Sequence, residues 1–484
     1  MRNRPMKNTQ MKPYLLLISL LLLVVPFTAR TQQPNFIFIL CDDLGYGDLT
    51  CYNAASEIQT PNMNRLADEG VRFTQHYSSA PLCSPSRRAF VTGRYQSRLG
   101  EWAESYTGIP TFDGVAADRE PTIAMYLKKA GYKNGCFGKW NVGEVDGVSR
   151  PGAHGFDDYI CIDHNTGYFY HRRWLSKEDL FRGERGLYGV GGKVINRDGV
   201  YMPEVFTGAA IDFIKENKKD PFFIYLPYAV PHEPMQGPED KPASWKEAPG
   251  KKPEETTNRE TYVKMVEHLD KCIGDVLQTL VDMKIDDNTI VVFSSDNGGM
   301  LLSNNTPLRA GKQHLFEGGI RVPMLVRWPE SLPAGKVVSQ PTIMMDITST
   351  FIKLAGANKY VPEERVLDGK NFIPYILEDK CELREFGWRK RVRNDAAGVN
   401  FLNNEAYRYG DWKYVKVFEG DSKKYTEYLF DLKIDEGESD NLQEANPGKF
   451  SEMKARFENW KMEVVNTEDP IYISSGKDQY GNGR

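Results

Sequence analysis

The sequence predicts an α/β protein in which helices flank a large, mostly parallel central sheet and a smaller α+β subdomain follows. Continuous apolar runs are typical of strands buried on both faces, and they recur at Asn35–Leu40, Phe222–Leu226 and Thr289–Phe293. Helical patterns separate these runs, most clearly where an apolar stripe repeats every three to four residues from Thr261 to Met283. From about residue 379, shorter alternating strands replace this pattern.

Length and composition allow two domains. The chain has 484 residues, of which 40% are hydrophobic, so it can bury a large core and is not intrinsically disordered. We predict a large domain over residues 32–378 and a small one, a short antiparallel sheet plus a helix, over residues 379–484. The elements predicted for the small domain include Trp412–Val417, Tyr428–Leu432 and the helix Phe450–Val464.

Charge and cysteine content exclude some classes of protein. The net charge of −4 gives no overall signal for nucleic-acid binding, so any charged substrate must be recognised by a local group of residues. Seven cysteines are too few for a disulfide scaffold in a chain of this length, and none has the CxxC spacing that is typical of zinc sites.

The N-terminus has the pattern of a secretory signal peptide. Basic residues come first, and an apolar run from Tyr14 to Val25 leads to small residues near Ala29. The run is shorter than the ~20 residues that a spanning helix needs, so we expect no stable membrane span. We therefore expect residues 1–31 to direct export to the periplasm or the extracellular space, with a retained membrane anchor as the alternative.

We interpret one stretch as the segment that carries the nucleophile of an enzyme. It reads Pro81-Leu-Cys-Ser-Pro-Ser-Arg-Arg-Ala-Phe-Val-Thr-Gly-Arg94. Ser84 suits an N-cap and Pro85 the first helical position, which places Cys83 at the positive end of a short helix. Arg87 follows about one turn later, so a cysteine-derived group and a guanidinium would face the same small space. A buried structural cysteine is the alternative.

Polar oxygen ligands follow two of the predicted strands. Asp42 and Asp43 come directly after the first strand, where open α/β sheets place their ligands, and they are our first candidates for metal ligands. Asp296 and Asn297 follow a later strand and add one carboxylate and one amide oxygen, both hard ligands. A turn with a capping aspartate would explain either pair without a metal.

Three further residues are candidates for catalysis. A covering helix over residues 120–130 and a short strand over residues 134–137 precede Lys139, which is thereby placed at a strand end. His232 lies in Pro-His-Glu-Pro, where the restricted backbone suits a positioned proton donor, and Lys312 follows a glycine in a loop. A solvated lysine and a histidine packed in a rigid turn are the alternatives.

The segment from about residue 152 to 200 has no sustained period and is rich in Gly, Arg, Tyr and His. Long loops of this kind often shape substrate pockets, although each residue also suits ordinary loop surface. The candidates for substrate contacts here are Asp163, His164, Tyr168, Arg172 and Arg173.

These motifs together resemble the type I sulfatases of the alkaline-phosphatase-like superfamily. Cys83, Pro85 and Arg87 give Cys-x-Pro-x-Arg, and Thr-Gly-Arg follows at residues 92–94. The resemblance extends from about Asn35 to the C-terminal helix, and includes Gly-Asp-Trp-Lys from residue 410 and Leu-Phe-Asp-Leu from residue 429. It implies a hydrolase that cleaves sulfate esters. Residues 230–236 and 316–329 resemble the N-acetylgalactosamine sulfatase branch, which implies galactose or N-acetylgalactosamine sulfates of sulfated glycans such as glycosaminoglycans.

The resemblance also implies a cofactor set and residue roles. Cys83 would be oxidised to formylglycine by a formylglycine-generating or anaerobic sulfatase-maturating enzyme, and its hydrated aldehyde would attack sulfur to give a covalent sulfate hemiacetal. The second hydroxyl would then expel sulfate. His232 would protonate the departing oxygen. The implied Ca²⁺ ligands are Asp42, Asp43, Asp296, Asn297 and residue 83, and the implied sulfate-binding residues are Arg87, Lys139 and Lys312.

One position departs from the family pattern. Where the family usually has Gly-Lys-Trp-His, this chain has Gly-Lys-Trp-Asn, so Asn141 replaces a histidine that is thought to assist residue 83. Asn cannot accept a proton at neutral pH, so either another group such as His314 serves or turnover is slower. The alternatives to a sulfatase are a phosphomonoester or phosphonate-ester hydrolase of the same superfamily and a pseudoenzyme that only binds sulfated glycans.

Overall fold

A mixed, mostly parallel sheet forms the centre of the protein. The computed structural model describes residues 1, 33–104, 115, 117–143, 149–162, 188–190, 193–195, 200–240, 257–394, 400–419 and 424–465. The predicted signal peptide lies outside these residues, apart from Met1. Within them, none of the helices is both long enough and apolar enough to cross a membrane.

Eleven strands within the described ranges form the large sheet, in the spatial order β10-β2-β9-β8-β1-β7-β3-β4-β5-β6, with β11 also paired to β2. Their bounds are β1 Asn35–Cys41, β2 Val71–Tyr77, β3 Lys133–Lys139, β4 Asp158–Ile162, β5 Tyr188–Gly189, β6 Lys193–Val194, β7 Phe222–Pro227, β8 Thr289–Ser295, β9 Arg321–Arg327, β10 Lys336–Val338 and β11 Thr342–Ile343. The neighbours β8, β1, β7, β3 and β4 are mutually parallel. The predicted fold class is confirmed.

Helices flank the large sheet, and the last helix of the chain packs on the second sheet described below. In the described part of the chain, the α-helices are α1 Pro61–Asp68, α2 Cys83–Thr92, α3 Ile123–Lys129, α4 Met202–Asn217, α5 Arg259–Asp282, α6 Glu317–Ile320, α7 Met345–Leu354, α8 Ile373–Leu377 and α9 Pro447–Val464. Short 3₁₀ turns lie at Tyr46–Asp48, Gln96–Leu99, Glu101–Glu104, Pro151–His154 and Ala357–Tyr360.

Strand β1 shows why the sheet is buried on both faces. Successive side chains of a strand point to opposite faces, so Phe36 and Phe38 enter one hydrophobic core while Ile37 and Ile39 enter the other. All of β1 is buried, as expected for a strand between two parallel neighbours under helices.

A second sheet of four antiparallel strands stands apart from the first. It comprises β12 Glu385–Asn394, β13 Asn400–Tyr409, β14 Trp412–Glu419 and β15 Lys424–Asp431. Side chains of α9 pack on this sheet in a third core, together with Tyr77 and Ile320 of the large domain. The structure thus contains the small antiparallel sheet and the helix predicted near the C-terminus.

Two predicted helix starts are wrong in detail. Helix α2 begins at Cys83 with Leu82 in the N-cap position, because the Ser84 hydroxyl donates to Asn141 Oδ1 at 2.7 Å and does not cap the helix. Cys83 nevertheless lies at the helix N-terminus, as predicted. Helix α3 begins at Ile123 and not at Glu120, whose carboxylate instead accepts hydrogen bonds from Arg94 and Arg365.

Candidate active site

The candidate residues lie at one edge of the large sheet. Asp42 and Asp43 follow β1, Asp296 and Asn297 follow β8, and Lys139 is the last residue of β3. These strands, together with β7 between β1 and β3, run parallel, so their carboxyl ends meet at the same edge. The loop after β7 brings His232 to the same place.

Two local backbone features aim side chains at this edge. Asp43 adopts a left-handed conformation with φ of 67°, which aspartate tolerates, and the strand alternation is broken there. Consecutive carboxylates can therefore face one pocket. Gly138 has φ of 142°, and a Cβ there would lie 1.9 Å from the Pro227 carbonyl oxygen, so glycine lets the end of β3 approach β7 and deliver Lys139.

Cys83 lies among acidic groups. Its thiol donates to Asp42 Oδ1 at 3.2 Å, and the side chain is buried. Burial, followed by the charges of Asp296 and Asp42, raises the pKa of the thiol well above its ordinary value. An unmodified Cys83 is therefore a neutral thiol and a poor nucleophile at neutral pH.

Arg87 is fully buried and joins three parts of the site. Its Nε and Nη2 lie 2.9 and 2.7 Å from Asp296 Oδ2, and its Nη1 donates to the Lys139 carbonyl oxygen at 2.6 Å. Nη2 also lies 3.4 Å from Asp42 Oδ2. Arg87 and Cys83 both lie close to Asp42, so the guanidinium and the cysteine share one small space, as predicted.

Two lysines complete the charged cluster. The Lys139 ammonium pairs with Asp42 Oδ2, and the Lys312 ammonium lies 2.7 Å from Asp43 Oδ2. Burial opposes ionisation of Asp42, but the surrounding cations, Lys139 first, hold its pKa well below its ordinary value. Burial and the charge of Asp42 raise the pKa of Asp296 to about 6.

His232 is held in a defined tautomer. Its Nδ1 lies 2.6 Å from the Glu233 carbonyl oxygen, and because a carbonyl can only accept, Nδ1 carries the hydrogen. Nε2, which lies 3.6 Å from Asp43 Oδ2, is therefore the ring nitrogen that can take up and release a proton. This is the arrangement that a proton donor facing the pocket needs.

The polar groups also fit a cation. Asp296 Oδ1 and Asn297 Oδ1 are buried and accept no hydrogen bond within the residues described, which is costly for oxygen atoms. The Asn297 amide nitrogen donates to Asp43 Oδ1 at 2.7 Å, so its oxygen is turned away from that carboxylate. Asp42, Asp43, Cys83 and His232 offer further ligand atoms that lie within 4.8 Å of one another. A hard divalent cation would satisfy the two orphaned oxygens.

Asn141 and His314 lie in the described part of the chain, whereas the candidate substrate contacts of the long loop do not. Asn141 Oδ1 accepts from Ser84, at the start of α2. His314 lies on an exposed loop beside Lys312, and its Nδ1 donates to the Lys312 carbonyl oxygen at 3.1 Å. Asp163, His164, Tyr168, Arg172 and Arg173 lie outside the described residues.

Sequence reasoning missed one part of the site's surroundings. Gln313 donates its backbone N–H to the Pro81 carbonyl oxygen, and its own carbonyl accepts from Lys390 of the small sheet, both at 2.9 Å. The run Trp-Arg-Lys-Arg-Val-Arg at residues 388–393 was the available signal, since it concentrates basic residues on one strand.

Comparison with known proteins identifies the family. Residues 34–357 match the Sulfatase family, and residues 310–464 match the C-terminal region of N-sulphoglucosamine sulphohydrolase. N-acetylgalactosamine-6-sulfatase of Homo sapiens is 34% identical over 365 residues, 72% of this chain and 67% of that protein. Steryl-sulfatase of Rattus norvegicus is 31% identical over 444 residues, 75% of this chain and 74% of that protein.

Solved structures agree. Ps i-CgsB in complex with k-i-k-neocarrahexaose superposes with a TM-score of 0.76 and 32% identity, covering 92% of this chain and 95% of that one. PsFucS1 sulfatase from Pseudoalteromonas sp. superposes with a TM-score of 0.71 and 25% identity, covering 90% of this chain and 92% of that one. The chain therefore belongs to the sulfatase family and is a sulfuric ester hydrolase of the alkaline-phosphatase-like superfamily.

Proposed function

We propose that the protein is an exported sulfatase that removes sulfate esters from galactose or N-acetylgalactosamine residues of sulfated glycans, using formylglycine at residue 83 and Ca²⁺. The names of its relatives support the sugar: one is an N-acetylgalactosamine-6-sulfatase, and Ps i-CgsB binds k-i-k-neocarrahexaose. The basic and then apolar N-terminus supports export.

The convergence of cations beside Cys83 carries the proposal. Three cations, from Arg87, Lys139 and Lys312, face three carboxylates, so the protein groups alone are balanced in charge. A bound divalent cation leaves the pocket positive and able to hold an anionic ester. A buried pocket strengthens these interactions because water screens them less.

The residues that would hold Ca²⁺ are those with oxygen atoms at the sheet edge, namely Asp42, Asp43, Asp296 and Asn297, with the side chain of residue 83. When bound, the ion supplies positive charge that favours the ionised form of an attacking hydroxyl. Formylglycine at residue 83 supplies a hydrated aldehyde, with one hydroxyl to attack sulfur and another to expel sulfate.

The chain's other side chains bind, orient and move a proton. Lys139 and Lys312 bind sulfate oxygens and offset the charge that develops on them. Arg87, anchored on Asp296, keeps the start of α2 in register with the end of β3 through the Lys139 carbonyl. His232 delivers the proton on Nε2 to the departing sugar oxygen, while its bond to Glu233 keeps the ring aimed.

The test begins with residue 83. The protein is produced in a host that modifies Cys-x-Pro-x-Arg, and the peptide carrying residue 83 is examined by mass spectrometry for the aldehyde. Sulfate release is then measured on a panel of sulfated galactose and N-acetylgalactosamine derivatives, with Cys83→Ala as the inactive control. A thiol at residue 83 in a competent host, or full activity of Cys83→Ala, contradicts the proposal.

Matched aryl sulfate and aryl phosphate separate this reaction from phosphoester hydrolysis, and the sulfate is expected to be the better substrate. Export is checked by determining the N-terminus of the protein recovered outside the cytoplasm, which should lie close to residue 32.

A further inference from the structure

The small sheet touches the segments that form the sulfate pocket. The Trp388 indole N–H donates to the Ser78 carbonyl oxygen, and the Lys390 ammonium donates to that of Gln313, both at 2.9 Å. Ser78 precedes the Cys83 helix, and Gln313 follows Lys312. Residues two apart on a strand share a face, so one face of β12 contacts both the segment before Cys83 and the residue after Lys312.

Gln313 ties this contact to the site. Its backbone N–H donates to the Pro81 carbonyl oxygen at 2.9 Å, and it adopts a left-handed conformation with φ of 74°. The chain therefore turns sharply at Gln313, directly after Lys312, whose ammonium lies 2.7 Å from Asp43 Oδ2. The Lys390 ammonium thus contacts Gln313, the residue next to Lys312, and Lys312 binds sulfate in the proposed function.

Among the residues that the structure describes, Lys390 has no carboxylate partner, unlike Arg389 and Lys413 of the same sheet. Arg389 pairs with Glu104 at 2.9 Å, and Lys413 lies 2.8 Å from both Glu317 and Glu438. Across the described ranges, no carboxylate pairs with Lys390, whose ammonium contacts oxygen atoms of Gln313 alone. Burial without a compensating charge lowers the pKa of Lys390 to about 8, which leaves it mostly protonated at pH 7.

An ammonium has three hydrogens, and Gln313 does not use them all. A partly buried cation of this kind is stabilised by an anion that arrives with a ligand. The substrates of the proposed reaction are glycans, and those with several sulfates or with uronic acids carry a second anion near the ester that is cleaved.

We propose that Lys390 binds a second anionic group of the substrate, so that the preferred substrate carries another sulfate or a carboxylate beside the sulfate ester that is hydrolysed. This inference rests on the proposed function. It assigns a specificity role to the C-terminal sheet, outside the residues that carry out the reaction.

The test compares three disaccharide probes that share the hydrolysed sulfate: one with a neutral neighbour, one with a sulfated neighbour and one with a uronic acid neighbour. The variants are Lys390→Met, which removes the charge, and Lys390→Arg, which keeps it. The control is Lys424→Met, because Lys424 is exposed on β15 at the opposite edge of the small sheet.

In Lys390→Met we expect KM for at least one dianionic probe to rise about tenfold with kcat within twofold, since a contact made equally in ground and transition states changes KM. For the neutral-neighbour probe, KM of Lys390→Met should stay within about threefold of the wild-type value. For all three probes, KM of Lys390→Arg and of Lys424→Met should do the same. The probe that loses affinity identifies the second anion as sulfate or carboxylate. Equal changes on all three probes, or none on any, overturn the inference.

Binding gives a readout that does not depend on turnover. In the Cys83→Ala background, calorimetry should show about tenfold weaker binding of the same dianionic probe when Lys390 is also changed to Met. If the wild-type protein with formylglycine at residue 83 releases no sulfate from any probe, the proposed function fails, and this binding comparison still decides the role of Lys390.

Discussion

The Lys312 ammonium lies 2.7 Å from Asp43 Oδ2, while Asp43 Oδ1 accepts from the Asn297 amide at 2.7 Å. One carboxylate thus connects a loop lysine to the end of β8. Because Asp43 also lies near His232, it is the group through which the proposed sulfate site, metal site and proton donor meet.

Replacing Lys312 should impair catalysis more than stability. We expect Lys312→Gln to lower kcat/KM for an aryl sulfate by about 10²- to 10³-fold, the usual effect of removing one donor to developing charge. The unfolding temperature is measured alongside, because removing one partner of a buried ion pair also destabilises the fold. Lys433→Gln on the exposed surface is the control, and a change of less than threefold in Lys312→Gln would exclude Lys312 from sulfate binding.

Calcium should stabilise the folded protein. After treatment with a chelator, added Ca²⁺ at about 100 times its dissociation constant should stabilise folding by about 2.7 kcal/mol, seen as a higher unfolding temperature. Asn297→Ala removes one of the two orphaned oxygens and should reduce this gain, whereas the exposed Asp212→Asn should not. An equal gain in all three proteins would refute Asn297 as a ligand.

The residue at position 141 should shape the pH profile. Asn141→His introduces an imidazole of ordinary pKa about 6.5, and only its neutral form accepts a proton. We expect kcat of this variant to rise as pH increases through about 6–7. The wild-type protein and Asn141→Ala should show no such rise. Histidine tolerates the left-handed backbone at this position better than most residues do, with φ of 51°. Three superimposable profiles would mean that residue 141 does not exchange protons with the site.

A buried carboxyl pair should make stability depend on pH. Glu317, Lys413 and Glu438 are completely buried where the small sheet meets the large domain, and burial, with the nearby Glu317, raises the pKa of Glu438 from 4.5 to about 7. The folded state then binds the Glu438 proton more tightly than the unfolded state. Its stabilising effect is full below pH 4.5 and is lost as pH rises through 7.

Glu438→Gln mimics the protonated form and removes this dependence. The free energy of unfolding of the variant minus that of the wild-type protein should be roughly 1–3 kcal/mol larger at pH 8 than at pH 5. Urea titrations at the two pH values measure the difference, and Glu444→Gln on the surface should show none. If the difference in free energy of unfolding is the same at both pH values, Glu438 has its ordinary pKa in the folded protein.

The sequence was most informative where residues follow buried strands. Apolar runs located β1, β7 and β8, and the parallel order of these strands brings their ends together, so Asp42 and Asp296 could be assigned to one edge before their distances were known. Lys139 was placed for the same reason. The sheet order itself, with β9 and β2 beside β8, does not follow from local patterns.

Contacts between distant segments were not predictable. Ser84 was expected to cap its helix, but a residue 57 positions away accepts its hydrogen bond. Lys390 reaches Gln313 across 77 positions, and nothing local distinguishes it from the paired Arg389. Such choices depend on which charges find partners in three dimensions.

Cys83 is 4% exposed, enclosed by the strand ends and by the Gln313 turn. Under the proposed function, a maturation enzyme has to reach this side chain, and the folded protein leaves almost none of it accessible. We therefore expect the proposed conversion to come before the ends of β1 and β8 meet around residue 83. On that basis the proportion of active molecules would depend on whether conversion precedes folding, and a molecule that folds with the thiol would stay inactive.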